Sequence, residues 1–215
     1  MRSVSVKTKL AQHRGEGTGI DYKPWIYVRE LASPGTCAEV ANWKTGRMTQ
    51  LLSQGELMLF YILNWDRRVV DIREQYPLDY EETKRISAEM GVKHPSVARN
   101  PMTTDLVVTL DDGREIAYSV KSSRSELDRQ RTQEILAVEK VYWNNRGIQW
   151  HLKFKDEMDL VYARNIKDVM AYYHAEDVCP GDRLGRLKHD IATGKVQVDM
   201  RSQLDYRRLA DELGY

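Results

Sequence analysis

Cysteine is scarce in this sequence. Only Cys37 and Cys179 occur in 215 residues, far apart and without neighbours of metal-ligand type. That excludes a zinc-ligand pattern and a disulfide framework, and it fits a reducing cytoplasm. Long apolar runs are missing too: none reaches the roughly 18 residues that a membrane-spanning helix needs. The opening Met1-Arg2-Ser3-Val4-Ser5 offers no apolar core of a signal peptide. An excess of one charge is also absent, since 33 basic residues meet 32 acidic ones for a net charge of +1. A free-standing nucleic-acid binder usually carries a clear basic surplus. Any affinity this chain has for nucleic acid is therefore expected to be modest, with a partner supplying the targeting. Internal repeats and low-complexity tracts are lacking as well.

What is present is the length and charge density of a soluble globular protein: one full domain with a small appendage, or two small domains. Residues 1–24 read as a basic, flexible arm whose lysines and arginines are candidates to touch a phosphate backbone. The three alternating glycines of "RGEGTGI" do not make a phosphate loop, because no strand precedes them. Residues 25–48 hold short extended pieces broken by "SPGT", as an irregular subdomain or small hairpin would. "SQGE" followed by "LMLFYIL" predicts a buried helix over 53–65. "RVVDIREQYPL" predicts a strand ended by Pro77, and residues 79–101 a loop with room for a short helix. "TTDLVVTL", "DDGR" and "REIAYSVKSS" predict a hairpin turning at Asp112-Gly113. Ser125 is placed to cap a long helix through 145, which Gly147 stops. "IQWHLKF" reads as a strand and "EMDLVYARNIKDVMAYY" as a helix. Beyond 173, helices are expected near 182–192 and 203–213, with "KVQVDM" as a short strand between them. The fold class is α/β: a mixed sheet flanked by helices over 25–173, and a short α+β appendage over 174–215.

One constellation stands out. Glu56 sits on a helix, Asp105 enters a hairpin, and Lys121 leaves it sixteen residues later. That is the outline of the PD-(D/E)xK nucleases. Phosphodiester hydrolysis asks for about 20 kcal/mol of barrier lowering, and a lysine in acid–base chemistry supplies only about 3–5 kcal/mol. Carboxylates holding Mg²⁺ supply the charge neutralisation that the remainder requires. Hairpin parity sets a condition. With a two-residue loop, Asp105 opposes Val120 and Lys121 points the other way; with a three-residue loop over 111–113, Asp105 opposes Ser119 and shares a face with Lys121. A nuclease therefore predicts the odd loop or a bulge. Each residue also has an ordinary reading. Glu56 completes a capping box with Ser53, Asp105 caps a strand start, and Lys121 is a solvated strand end. Asp71 and Glu74 compete as acids.

The surrounding words are more specific. "GTGIDYKPW" at 17–25, "WKTGRMTQLLSQGEL" at 43–57, "VVDIREQYPL" at 69–78, "GVKHP" at 91–95, "MTTDLVV" at 102–108 and "YSVKSS" at 118–123 occur together and in order. In this, over about residues 14–155, the chain resembles TnsA, the endonuclease subunit of the TnsA–TnsB transposases of Tn-seven-like elements. The resemblance implies a restriction-endonuclease-like fold and cleavage of the 5′ transposon strands in double-stranded DNA, with a TnsB-like partner cutting and joining the 3′ ends. It implies Glu56 and Asp105 as ligands of one or two Mg²⁺ ions (Mn²⁺ substituting), Lys121 as the catalytic lysine, and the Val120 backbone carbonyl as a further ligand. Where relatives carry an acid or glutamine two residues before the lysine, this chain has Ser119, a weak ligand or one acting through water. Lys93 and His94 are candidate DNA contacts. The family's C-terminal winged-helix-like domain, which engages a TnsC-like ATPase regulator, is represented only by "LGRLKHDIATGKVQVDMRSQLDYRRLADEL". That short form resembles elements paired with CRISPR targeting. The implied setting is the bacterial cytoplasm, at the nucleoid when active. Two rival readings stand beside this one: a stand-alone restriction or repair nuclease, and a non-catalytic DNA- and regulator-binding scaffold, which Ser119 favours.

Overall fold

A computed structural model describes residues 4–31, 36–96 and 99–215. Most of the "SPGT" break lies outside the described residues.

In chain order the elements are α1 (Val6–Ala11), β1 (Ala38–Ala41), β2 (Met48–Leu51), α2 (Gln54–Trp65), β3 (Val69–Pro77), α3 (Tyr80–Glu89), β4 (Thr103–Leu110), β5 (Glu115–Lys121), α4 (Gln130–Asn144), β6 (Gln149–Phe154), α5 (Leu160–Met170), α6 (Arg183–Ala192) and α7 (Tyr206–Leu213). The main sheet runs β3-β4-β5-β6. β3, β4 and β5 are antiparallel neighbours, and β6 joins β5 in parallel because the α4 crossover returns it in the same direction. The molecule is therefore a mixed α/β fold, as the sequence predicts. β1 and β2 form a separate antiparallel hairpin.

Two apolar layers cover the sheet. Ile72, Leu106, Val108, Tyr118 and Val120 pack under α2 and α5 with Leu59, Phe60, Ile166 and Val169. On the other face Val107 and Ala117 meet Ile86 of α3 and Val138, Tyr142 and Trp143 of α4. No helix among the described residues is long and apolar enough to cross a membrane.

Three expectations need correction. Residues 4–24 are built into the molecule: Arg14 is buried and paired with Glu30 at 2.5 Å, and Lys9 lies 5.1 Å over the Trp25 ring. α4 does not start at Ser125. Arg124–Asp128 form a 3₁₀ turn, and the Gln133 side-chain amide ties off the Leu127 carbonyl at 2.6 Å, so the helix begins only after Arg129. "KVQVDM" is not a strand. Its valines pack on the core from an irregular segment, with the Val196 N–H given to the Asp190 carbonyl at 3.0 Å.

Candidate active site

Helix α2 starts where Ser53, extended at φ −148° and ψ 161°, accepts the Glu56 N–H on Oγ at 3.1 Å. That satisfies one of the orphan donors of the first turn. The reciprocal half of the capping box does not form. Glu56 Oε2 takes the Leu52 N–H at 2.9 Å and the Gln75 Nε2 at 3.1 Å instead. Glu56 is thereby held inside the protein, 5% exposed, facing the sheet. Gly55 explains how α2 comes so close: a Cβ there would sit 2.7 Å from the Val120 side chain.

The β4–β5 turn is the three-residue loop that the nuclease pattern demands. Leu110 accepts the Gly113 N–H and donates to the Arg114 carbonyl, Gly113 has φ +81°, and Leu106 stands opposite Tyr118. The face of Asp105 is nevertheless not set by simple alternation. Ile72 and Leu106 point to the α2 side, whereas Tyr76 packs on Trp143, and Thr104 accepts the Trp143 indole N–H at 2.8 Å. Residues two or four apart thus switch faces in both strands, across Gln75 and Asp105. Asp105 consequently turns away from Ser119 and accepts the Val120 N–H on Oδ2 at 2.7 Å. Lys121 Nζ donates to the Val120 carbonyl at 3.1 Å.

Glu56, Asp105, Val120 and Lys121 together line one cavity of about 200 Å³, rimmed by Ser53, Ser122 and Glu126. Burial, and then the charge of Asp105, pushes the Glu56 carboxyl up to about 8. Burial likewise raises Asp105, while Lys121 and the Val120 N–H oppose that rise. Two acids that both resist ionisation in a shared cleft are matched by a hard cation, which takes oxygen ligands. Among the described residues no group of three or more His, Cys, Asp or Glu gathers to hold a metal. The oxygens that could hold such an ion are those of the two carboxylates and the Val120 carbonyl, which accepts Lys121 Nζ.

The other candidates lie elsewhere. Ser119 Oγ donates to Glu139 at 2.6 Å and accepts the Trp150 indole N–H at 3.1 Å, on the α4 side of the sheet, so it is not among the cavity-lining residues. Glu74 is paired with Arg47 at 2.6 Å, and Asp71 accepts the Gly19 N–H at 3.0 Å; neither lines the cavity. His94 is fixed by packing. Its Nδ1 accepts the Ser96 N–H, and Thr83, whose hydroxyl donates to the Asp79 carbonyl, meets Nε2 at 3.1 Å. Nε2 therefore carries the proton and the ring is neutral, in keeping with a pKa lowered chiefly by burial. Lys93 is exposed, and its carbonyl accepts Arg131 at 2.6 Å.

Sequence reasoning missed Gln75 and Glu139. Glu139 is buried and accepts the Thr104 and Ser119 hydroxyls, both at 2.6 Å; burial and then Asp105 push its carboxyl up to about 7. Its signal was legible: an acid on the apolar stripe of α4 between Leu136 and Trp143. Gln75 gave no such signal.

A family model described as TnsA-like endonuclease N terminal matches residues 66–154. This stretch is similar to a TnsA-like endonuclease domain. The TnsA-like domain holds β3 to β6, α3 and α4, and with them Gln75, Asp105, Lys121 and Glu139, whereas Glu56 and α2 precede it. The chain is also 37% identical over 168 residues to the transposon Tn7 transposition protein TnsA of Escherichia coli. That match covers 76% of this chain, which spans 61% of the relative's length.

Proposed function

We propose that this chain is a divalent-metal-dependent DNA endonuclease of restriction-endonuclease-like fold, the TnsA-like subunit of a heteromeric transposase. The observation that carries the reading is that buried Glu56 and half-buried Asp105 share one small cavity with Lys121, the last two within the stretch that matches a TnsA-like endonuclease domain. Glu56, Asp105 and the Val120 carbonyl would hold Mg²⁺, or Mn²⁺ in its place. Such an ion, when bound, supplies an activated water and neutralises charge developing on phosphate. Asp105 is oriented by the Val120 N–H and Glu56 by the Leu52 N–H. Lys121 would orient or deprotonate the attacking water, or stabilise the transition state. Ser119, committed to Glu139, adds no side chain to the set, which favours one ion over two.

The substrate would be double-stranded DNA at transposon ends, cut on the 5′ strand in the bacterial cytoplasm during cut-and-paste transposition. A net charge of +1 suits delivery of that DNA by a TnsB-like partner, with a TnsC-like ATPase as regulator. The C-terminal helices α6 and α7 are the segment proposed to meet that regulator.

The test is cleavage of end-bearing DNA in Mg²⁺, with and without the TnsB-like partner. Asp105→Ala and Lys121→Ala are expected to lose 5′-strand cutting and to leave the partner's 3′ cutting intact. Unchanged cutting in both variants overturns the site. Wild-type cutting without partner or ends would mark a stand-alone nuclease. No 5′ cutting by the wild type would mark the non-catalytic scaffold.

A further inference from the structure

Gln75 combines three features that no simple strand residue needs. Its backbone lies at φ +48°, a left-handed conformation that costs a side-chain-bearing residue free energy and persists only where the surroundings enforce it. Its carbonyl accepts the Trp25 N–H of the N-terminal segment at 3.2 Å. Its side chain, 2% exposed, donates to Glu56 Oε2 at 3.1 Å, accepts the Thr103 hydroxyl at 3.3 Å, and helps hold the Asp105 carboxyl down against the rise that burial imposes. The ladder puts Glu74 across from Leu106 and Tyr76 across from Thr104, so Gln75 stands across from Asp105 at the point where both strands switch faces.

We propose that Gln75 is a positioning residue for the metal ligands. Its left-handed twist brings Asp105 onto the Glu56 side of the sheet, and its carboxamide sets the spacing of the two carboxylates for a divalent cation. The inference rests on the nuclease reading and deepens it. Glutamine suits the role physically. An amide spans two acids without adding a third charge, and its nitrogen supplies donors to carboxylates that, once ionised, only accept.

The test is Mg²⁺ binding without DNA, by calorimetry and by cation-linked thermal shift, on Gln75→Gly, Gln75→Asn and Asp105→Ala. Glycine and asparagine both tolerate the left-handed backbone, so the variants are expected to fold, with a cooperative melt in chelator. Their Mg²⁺ affinity should nonetheless fall by about 10–100-fold, as loss of a partner behind a metal ligand commonly does. Raised Mg²⁺ should restore cleavage. Wild-type affinity in both folded variants overturns the inference, and so does a lower melting point with affinity unchanged, the mark of a purely structural role. The two readings fail separately. If the wild type itself shows no Mg²⁺ binding that Asp105→Ala removes, the nuclease reading falls. If it does, and the Gln75 variants bind alike, only the role of Gln75 falls.

Discussion

Glu56 stores a tension that a pH titration can read. Its ordinary value is near 4.5, and in the folded protein burial and Asp105 push it up to about 8. Between those values the native chain keeps a proton that the unfolded chain has released, so proton release opposes folding. In chelator, the contribution of Glu56 to stability is therefore full below about 4.5 and is lost as pH rises toward about 8. Mg²⁺ should restore stability at the upper end, where the carboxylate is free to bind it. Melting curves across that window, with and without the ion, check this; a chelator curve that climbs with pH contradicts it. At this scale the meeting of Glu56, Asp105 and Lys121 in one cavity was legible, because an acid on a helix and an acid and a lysine on one hairpin were expected to converge. Parity counting put Asp105 on the face of Ser119, because it assumes an unbroken pleat, whereas Asp105 turns to the other side. The break sits at Gln75, and glutamine carries no preference that announces a left-handed backbone.

At the scale of elements, the cap of α2 and the site share one turn. Ser53→Ala removes the acceptor of the Glu56 N–H and should cost about 1 kcal/mol in denaturant unfolding. The measurement is the shift of the midpoint at constant slope. The helices capped by Ser53, Asp159, Asp182 and Asp205 were readable from sequence because each cap side chain does accept a first-turn N–H. The β4–β5 hairpin was readable because Gly113 permits the loop that its register needs. The start of α4 was not, because Glu126 is drawn to the Ser122 N–H at the cavity rim, at 2.6 Å, and the turn before the helix closes on itself. "KVQVDM" misled for a different reason. Alternating valines report a half-buried face, and burial against α6 produces that pattern without a partner strand.

Across the whole molecule, the small hairpin is fastened to the sheet by a buried ion pair. Arg47 reaches Glu74 with two nitrogens, at 2.7 and 2.6 Å, and also bonds the Ile72 carbonyl at 2.9 Å. Arg47→Ala would strand a carboxylate that is fully buried, at a cost of about 3–5 kcal/mol. Urea unfolding measures this, and a loss below about 1 kcal/mol would show that the pair is not the fastening. The N-terminal segment was the largest misreading at this scale. Its basic residues suggested a solvated arm, yet the alkyl stems and flat guanidinium of Lys9 and Arg14 pack on Trp25 and Tyr27. Composition counts charges and is blind to the surface on which they rest.

The docking of that segment on β3 has a consequence for synthesis. Gly19 reaches Asp71 and Tyr22 reaches the Glu74 carbonyl, each across 52 residues, and Trp25 reaches Gln75 beside them. On the ribosome the first 25 residues thus emerge well before anything exists for them to fold against. A nascent chain ending short of Val69 leaves Trp25 in water and the site without its Gln75 clasp. The earliest segment made therefore has no seat until β3 exists to receive it.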